Sequence, residues 1–362
     1  MKSLQIGNIN IKVPIIQGGM GVGISLSGLA SAVANQGGVG VLSAAGVGLF
    51  EPNNRVNFLK STLEGLEKLI GKTKEKTNGV VGINIMVALT EFGELVKKSI
   101  AEKIDIIFAG AGLPLNLPKY MDQDRHTALV RIISSARAGE LICNKWKEQY
   151  DYLPDAIVIE GPKAGGHLGF KRENLNDPAF SLESILAAVR LAIKKIEDKY
   201  NQTIPIIVAG GIRNGSDIFK FMKLGASGVQ LGSKFVTTHD CDASIEFKNT
   251  YINAKEEDMR IIQSPVGLPG RAIWNNFLQK IENGEKHPTN CPFKCLSTCN
   301  YETTPYCIVG ALLSAARGKM DSGFAFAGAS AYLADKIVSV KEVFDELISE
   351  YYAAERNALG IA

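Results

Sequence analysis

A chain of 362 residues, 46% apolar and carrying 37 glycines, is long enough to bury one large α/β core or two modest ones. Its formal net charge of +3 is scattered rather than clustered, which excludes a nucleic-acid footprint. The opening residues lack an apolar run, and the small-residue stretch 27–49 is broken by Asn35, Gln36 and glycines. The expectation is therefore a soluble, cytoplasmic protein with no membrane span, in which six cysteines serve as thiols or metal ligands and not as disulfides.

Strand candidates fall at 13–17, 39–43, 80–85, 104–108, 129–133, 156–159, 205–208 and 228–231. Several are continuous apolar runs, as parallel strands buried on both faces require. Helical spacers are predicted at 26–35, 56–70, 92–103, 135–149, 181–200 and 216–224. The clearest carries Leu182, Ile185, Leu186, Val189, Ile193 and Ile196 on one stripe. The weakest spacer, between the fourth and fifth strands, contains Pro114 and Pro118. Residues 255–320 show no clear period, and 327–357 again reads as helix. Eight β–α repeats within about 240 residues predict a TIM (β/α)8 barrel. Residues 1–245 and 321–362 would form it, with 246–320 as a late insertion or lid and a C-terminal helix packing back.

The competing doubly wound sheet needs G-x-G-x-x-G after its first strand and an acid about 20 residues on. Here Gly21 and Gly23 fit, but Leu26 stands at the third position and the next strand ends Ser43-Ala-Ala45 without a carboxylate. The barrel is the better reading.

A barrel's active site lies at the carboxyl ends of its strands, with phosphate commonly docking after strands seven and eight. Those loops read Ala209-Gly-Gly-Ile-Arg-Asn-Gly215 and Gln230-Leu-Gly-Ser-Lys234. Glycine lets backbone N–H groups approach phosphate oxygens, and Ser233 adds a hydroxyl. After strand six, Glu160-Gly-Pro-Lys-Ala-Gly-Gly-His-Leu-Gly169 carries His167, one of only four histidines, in a glycine-rich loop. Gly18, Gly19 and Met20 follow strand one, and Asn84 near the end of strand three can pair with a heterocycle edge through both amide atoms. Gln17 and Gln230 could do the same or merely cap loops. His239 and Asp240 read as a solvated loop.

Taken in order, Val13-Pro-Ile-Ile-Gln-Gly-Gly-Met20, Gly82-Ile-Asn84, Ala164-Gly-Gly-His-Leu-Gly169, Ala209-Gly-Gly-Ile212 and Gly228-Val-Gln-Leu-Gly-Ser233 resemble the signature segments of the nitronate monooxygenase (2-nitropropane dioxygenase) flavoproteins. The FMN-dependent type II enoyl-ACP reductases carry much the same set. The resemblance runs nearly the whole chain, including Gly270-Arg271 and Phe326-Ala-Gly-Ala-Ser330. It implies non-covalent FMN in the barrel, with phosphate on Gly211, Gly232 and Ser233 and the ring near Gly19, Met20, Asn84 and Gly166. His167 would be the catalytic residue facing the substrate. The wider cofactor-binding set is Gly18, Gly19, Met20, Asn84, Glu160, Ala164, Gly165, Gly166, Ala209, Gly210, Gly211, Gln230, Leu231, Gly232 and Ser233.

The activity implied is oxidation of alkyl nitronates with O2 to a carbonyl compound and nitrite, His167 holding the nitronate oxygens by hydrogen bond or as imidazolium. Alternatives on the same barrel are NAD(P)H-dependent enoyl-ACP reduction and NAD(P)H:quinone reduction; a colourless barrel binding a phosphorylated metabolite is the non-catalytic rival. Expected partners are a small-molecule substrate and O2, with no nucleic acid and no membrane; a homodimer is compatible. Pro162, Lys163 and the stretch 237–244 depart from the pattern of the enoyl reductases, which leaves the substrate open.

Four cysteines, Cys291, Cys295, Cys299 and Cys307, fall within the insertion. Their C-x3-C-x3-C-x7-C spacing matches neither zinc-ribbon pairs nor ferredoxin runs, so zinc, an iron–sulfur cluster and free thiols all stay open. Cys143 and Cys241 stand apart and are expected to pack as small hydrophobes.

Overall fold

The computed structural model describes residues 1–52, 54–121, 125–285 and 288–360. Eight parallel strands close into a barrel: β1 (Ile15–Gln17), β2 (Val39–Ser43), β3 (Val80–Met86), β4 (Ile106–Gly110), β5 (Ala128–Ile133), β6 (Ala156–Glu160), β7 (Ile206–Ala209) and β8 (Gly228–Leu231). Each pairs with its sequence neighbour, and β8 returns to β1 through Val229↔Ile15 and Leu231↔Gln17. The fold is the TIM barrel expected from the sequence.

The apolar runs conceal a period of two. Ile16, Val39, Val41, Ile106, Phe108, Val130, Val158 and Ile207 fill the barrel interior, while their alternates Ile15, Leu42, Ile83, Ile107, Leu129, Ile157, Ile159 and Val208 pack outward under the helices. The amino ends of the strands are plugged by a hairpin, Leu4–Ile6 against Ile9–Ile11, whose Leu4, Ile6 and Ile11 are buried in that interior cluster. The interior is thus sealed below and opens only above.

The outer layer is α1 (Ser27–Asn35), α2 (Phe58–Lys74), α3 (Phe92–Ala101), α4 (Ala136–Tyr150), α5 (Leu182–Tyr200) and α6 (Gly215–Lys223). Short polar residues start most of them: Asn57, Ser135, Ser181 and Asn214 each accept from an amide of the first turn. After β4 the two prolines allow only a 3-10 turn, Leu117–Tyr120. The one-turn α7 (Ser233–Val236) follows β8.

Two sequence expectations need correction. The stretch 255–320, which shows no period, follows α8 (Ile245–Ile252) and contains an antiparallel hairpin of β9 (Met259–Gln263) and β10 (Pro269–Ile273), α9 (Asn276–Glu282) and α10 (Ile308–Ala316). Each piece is too short for its periodicity to stand out. The helix expected from 327 starts only at α11 (Val340–Leu359). Ser339 and Glu342 form a capping box there: the Ser339 hydroxyl accepts from Glu342 N–H at 3.1 Å and Glu342 Oε2 accepts from Ser339 N–H at 2.7 Å. The alanine-rich residues before it, Ala327 to Ala334, lie largely along the cavity lining instead.

The capping box gives a test. Ser339→Ala should lower stability by about 1 kcal/mol, with the urea m-value unchanged. Equilibrium denaturation reads this directly, and an effect below a few tenths would mean the cap does not set the start of α11.

Candidate active site

The period of two decides what reaches the top of the barrel. Continuing each inward series past its last core residue brings Gly18, Ser43, Asn84, Gly110, Ile132, Glu160, Ala209 and Gln230 to the carboxyl ends. All eight line one cavity of about 730 Å³. That is the size and place of a small-molecule or cofactor site. Gln17 lies one residue out of phase: it points away from the cavity, its Nε2 donates to Ser25 Oγ at 2.8 Å, and its Oε1 accepts from Val41 N–H at 3.0 Å. It is a structural residue of the β1–β2 joint.

The remaining sequence candidates, Gly19, Met20, Ala164, Gly165, Gly166, His167, Gly210, Gly211, Leu231, Gly232 and Ser233, line the same cavity. Two of the glycines are required by geometry. A Cβ on Gly19 would sit 2.4 Å from Asn84 Cβ, so only glycine lets that loop pass the inward asparagine. Gly211 has φ of +101°, a conformation other residues rarely take. His239 and Asp240 do not line the cavity; Asp240 Oδ2 instead accepts from Val340 N–H at 2.9 Å, in the first turn of α11.

His167 is placed by a long-range strap. Gly166 and His167 pair antiparallel with Arg271 and Gly270 of β10. From the same strand the buried Arg271 sends Nη1 back to the carbonyls of Pro162 and Ala164, at 2.7 and 2.8 Å. The guanidinium thereby fixes the turn that precedes His167. The imidazole Nε2 lies 2.7 Å from Ser264 Oγ, in the loop between β9 and β10, and the ring meets Phe326 edge-on at 5.0 Å between centroids. Enclosure pushes the His167 pKa down to about 4, which favours the neutral ring.

Glu160 ends β6 and opens partly onto the cavity. Burial pushes its carboxyl up to about 7. The lining also carries Lys163, Arg213, Lys234 and Lys336, together with the acids Asp335, Glu346 and Glu350. Glu346 of α11 pairs with Lys234 at 2.8 Å, and Glu350 accepts from Gly215 N–H at 2.7 Å.

Sequence reasoning did not single out Ser264, Phe326, Tyr251 or this set of charged lining residues. Phe326 lay in a quoted motif, and Tyr251 Oη donates to its carbonyl. Ser264 had only a turn signal, the Gly267-Leu-Pro-Gly270 stretch that follows it.

A (β/α)8 barrel with a glycine-lined cavity at the carboxyl ends of its strands defines the general class. Within it, residues 2–350 match the model of the nitronate monooxygenase family. The chain belongs to the nitronate monooxygenase family. It is 25% identical over 310 residues to the "Probable nitronate monooxygenase" of Staphylococcus saprophyticus, covering 80% of this chain and 83% of that protein. A Mycobacterium tuberculosis protein, (3aS,4S,5R,7aS)-5-hydroxy-7a-methyl-1-oxo-octahydro-1H-indene-4-carboxyl-CoA dehydrogenase, is 26% identical over 278 residues, covering 77% of this chain and 68% of its own length. Among solved structures, FabK from Thermotoga maritima superposes with a TM-score of 0.74 at 26% identity, over 97% of this chain and 96% of its own. The chain is accordingly an enzyme of this oxidoreductase family. Among the described residues, no helix is long and apolar enough to cross a membrane.

Glu160 supplies a prediction. Its folded-state pKa lies above its unfolded value, so the associated stability is complete below about pH 4.5 and is lost as pH rises through about 7. Glu160→Gln should therefore match the wild type at low pH and exceed it above neutrality, by up to about 3 kcal/mol before cavity water trims the difference. Tm against pH for the two proteins reads it; parallel curves would show that the carboxyl is not held neutral.

Proposed function

We propose that the chain is an FMN-dependent oxidoreductase that oxidises alkyl nitronates with O2 to a carbonyl compound and nitrite. The observation that carries this reading is the cavity itself: inward polar groups below, glycine amides and cations at the rim, and a neutral histidine on one wall. The residues fit the cofactor. Gly211, Gly232 and Ser233 would hold its phosphate, with Lys163 and Arg213 close by in the lining. Gly19, Met20, Asn84 and Gly166 would surround the ring, and the buried Glu160 carboxyl, protonated below about pH 7, would offer it a hydrogen bond. Bound FMN supplies the electron acceptor for the nitronate and the reductant for O2.

The protein's own contribution is binding and orientation. A nitronate is already deprotonated, so no general base is required. Neutral His167 has one ring proton to give. The Ser264 hydroxyl oxygen also accepts from Val266 N–H at 3.3 Å, which fixes it beside Nε2. With the ring proton on Nδ1, Nε2 would accept from the Ser264 hydroxyl and the ring would hold a nitronate oxygen. Phe326 and the strap keep the ring from turning.

Anaerobic titration at the flavin band, with propyl-2-nitronate, NADH and NADPH in parallel, tests the proposal. Bleaching by the nitronate and not by the nicotinamides is expected. Rapid bleaching by NADH or NADPH would move the assignment to enoyl-thioester or quinone reduction, and a protein that never binds flavin would overturn both. His167→Ala should keep its flavin yet lose about 100-fold in kcat/KM for the nitronate. Unchanged turnover would remove His167 from the mechanism.

A further inference from the structure

From Asn283 to Cys307 the described residues form no helix or strand, only an isolated bridge between Leu296 and Leu89. A segment this long without regular structure is unusual inside a compact domain and calls for another fastening. It is tied to the loop after β3: Thr90 N–H donates to the Cys295 carbonyl at 3.1 Å, Ser297 N–H to Ala88 at 3.0 Å, and Thr90 Oγ1 to the Lys294 carbonyl at 2.6 Å. Those bonds hold its edge. Leu296 and Tyr306 anchor it to the main core, and its four thiols are half-buried.

We propose that Cys291, Cys295, Cys299 and Cys307 hold a [4Fe–4S] cluster. Cys295 and Cys307 share one apolar cluster with Val22, Leu49, Phe293 and Val309. Every pair among the four sulfurs is close enough to interact electrostatically, so they form a single group despite their spread in sequence. Backbone amides are already turned toward sulfur. Lys294 N–H donates to Cys291 Sγ at 3.3 Å, from a residue held at φ of 44°, and amides of Val309 and Gly310 reach Cys307 at the start of α10. Such donors stabilise thiolate and are the second shell that metal–thiolate centres use.

The spacing of the side chains favours a cluster over one ion. Four thiolates on zinc, each about 2.3 Å from the metal, must converge on a point. Among the described residues no three His, Cys, Asp or Glu side chains converge in that way. A cube takes one thiolate at each corner iron and spreads them wider. The other two cysteines, Cys143 and Cys241, are buried apart from this group and pack as apolar residues of the main core. The cluster would stand one side-chain layer behind the cavity, because Val22 and Leu312 pack with Cys295 and Cys307 and also line the cavity wall.

The test is independent of the substrate. Protein purified without air is assayed for iron, acid-labile sulfide and zinc, and its EPR spectrum is taken after dithionite reduction. About four irons and four sulfides per chain are expected, with a reduced-cluster signal distinct from flavin. Cys299→Ser should lose the iron, whereas Cys143→Ser should keep it. One zinc per chain without sulfide would overturn the proposal, as would free thiols or disulfides that persist after reconstitution with iron and sulfide. If Cys299→Ser does not fold, the wild-type iron and sulfide content still decides.

Discussion

The constraint on which this molecule depends is the closure of eight parallel strands in one register. Once the barrel closes, every strand has one face inside and one outside, and a residue's parity decides its fate. Ala156 and Val158 build the core and Ile157 and Ile159 bind the helical shell. The next inward position, Glu160, is then carried above the last core layer. The same step delivers Asn84 from β3 and Gln230 from β8. A cavity floor is produced without a dedicated loop, because the core ends one residue before the strands do. A one-residue slip would swap Gln17 for Gly18 and bury a polar amide in the barrel, which is why the register is strongly specified.

Parity fixes the floor, but it does not fix the histidine. That depends on contacts across a long stretch of sequence. Arg271 reaches the carbonyls of Pro162 and Ala164, and Gly270 pairs with His167. A guanidinium suits this task, since its Nη1 carries two protons and donates one to each carbonyl. Removal of the side chain would leave buried acceptors unpaired. The hairpin of β9 and β10 is thus the element that converts a flexible glycine loop into an oriented wall.

What the sequence disclosed follows from this division. The strands were legible because each is a bounded apolar run, and the helices because their stripes are long. The glycine loops of β7 and β8 were legible because their position in the repeat gave them meaning. The hairpin was not: Met259-Arg-Ile-Ile-Gln263 alternates weakly and its partner begins with proline and glycine, so neither strand declares itself alone. The amino-terminal plug escaped for the same reason, being two strands of three residues each. Small residues before Ser339 looked helical because alanine is a good helix former, yet the capping box lies later and tertiary packing over the mouth prevails. Ser264 had no signal of its own beyond a turn.

The charge distribution then separates two kinds of ligand chemistry within one cavity. Deep inside, His167 is neutral and Glu160 holds its proton up to about pH 7, so the floor presents hydrogen bonds without net charge. Lys163, Arg213, Lys234 and Lys336 also line the cavity against Asp335, Glu346 and Glu350, and Glu346 of α11 pairs with Lys234. Burying a charge at the floor would require a partner there, whereas cations at the rim keep their water. The arrangement favours a ligand with an uncharged planar end inside and an anionic end outside. Any anion that passes the rim must find a hydrogen-bond donor at once, and the His167 ring stands on that wall.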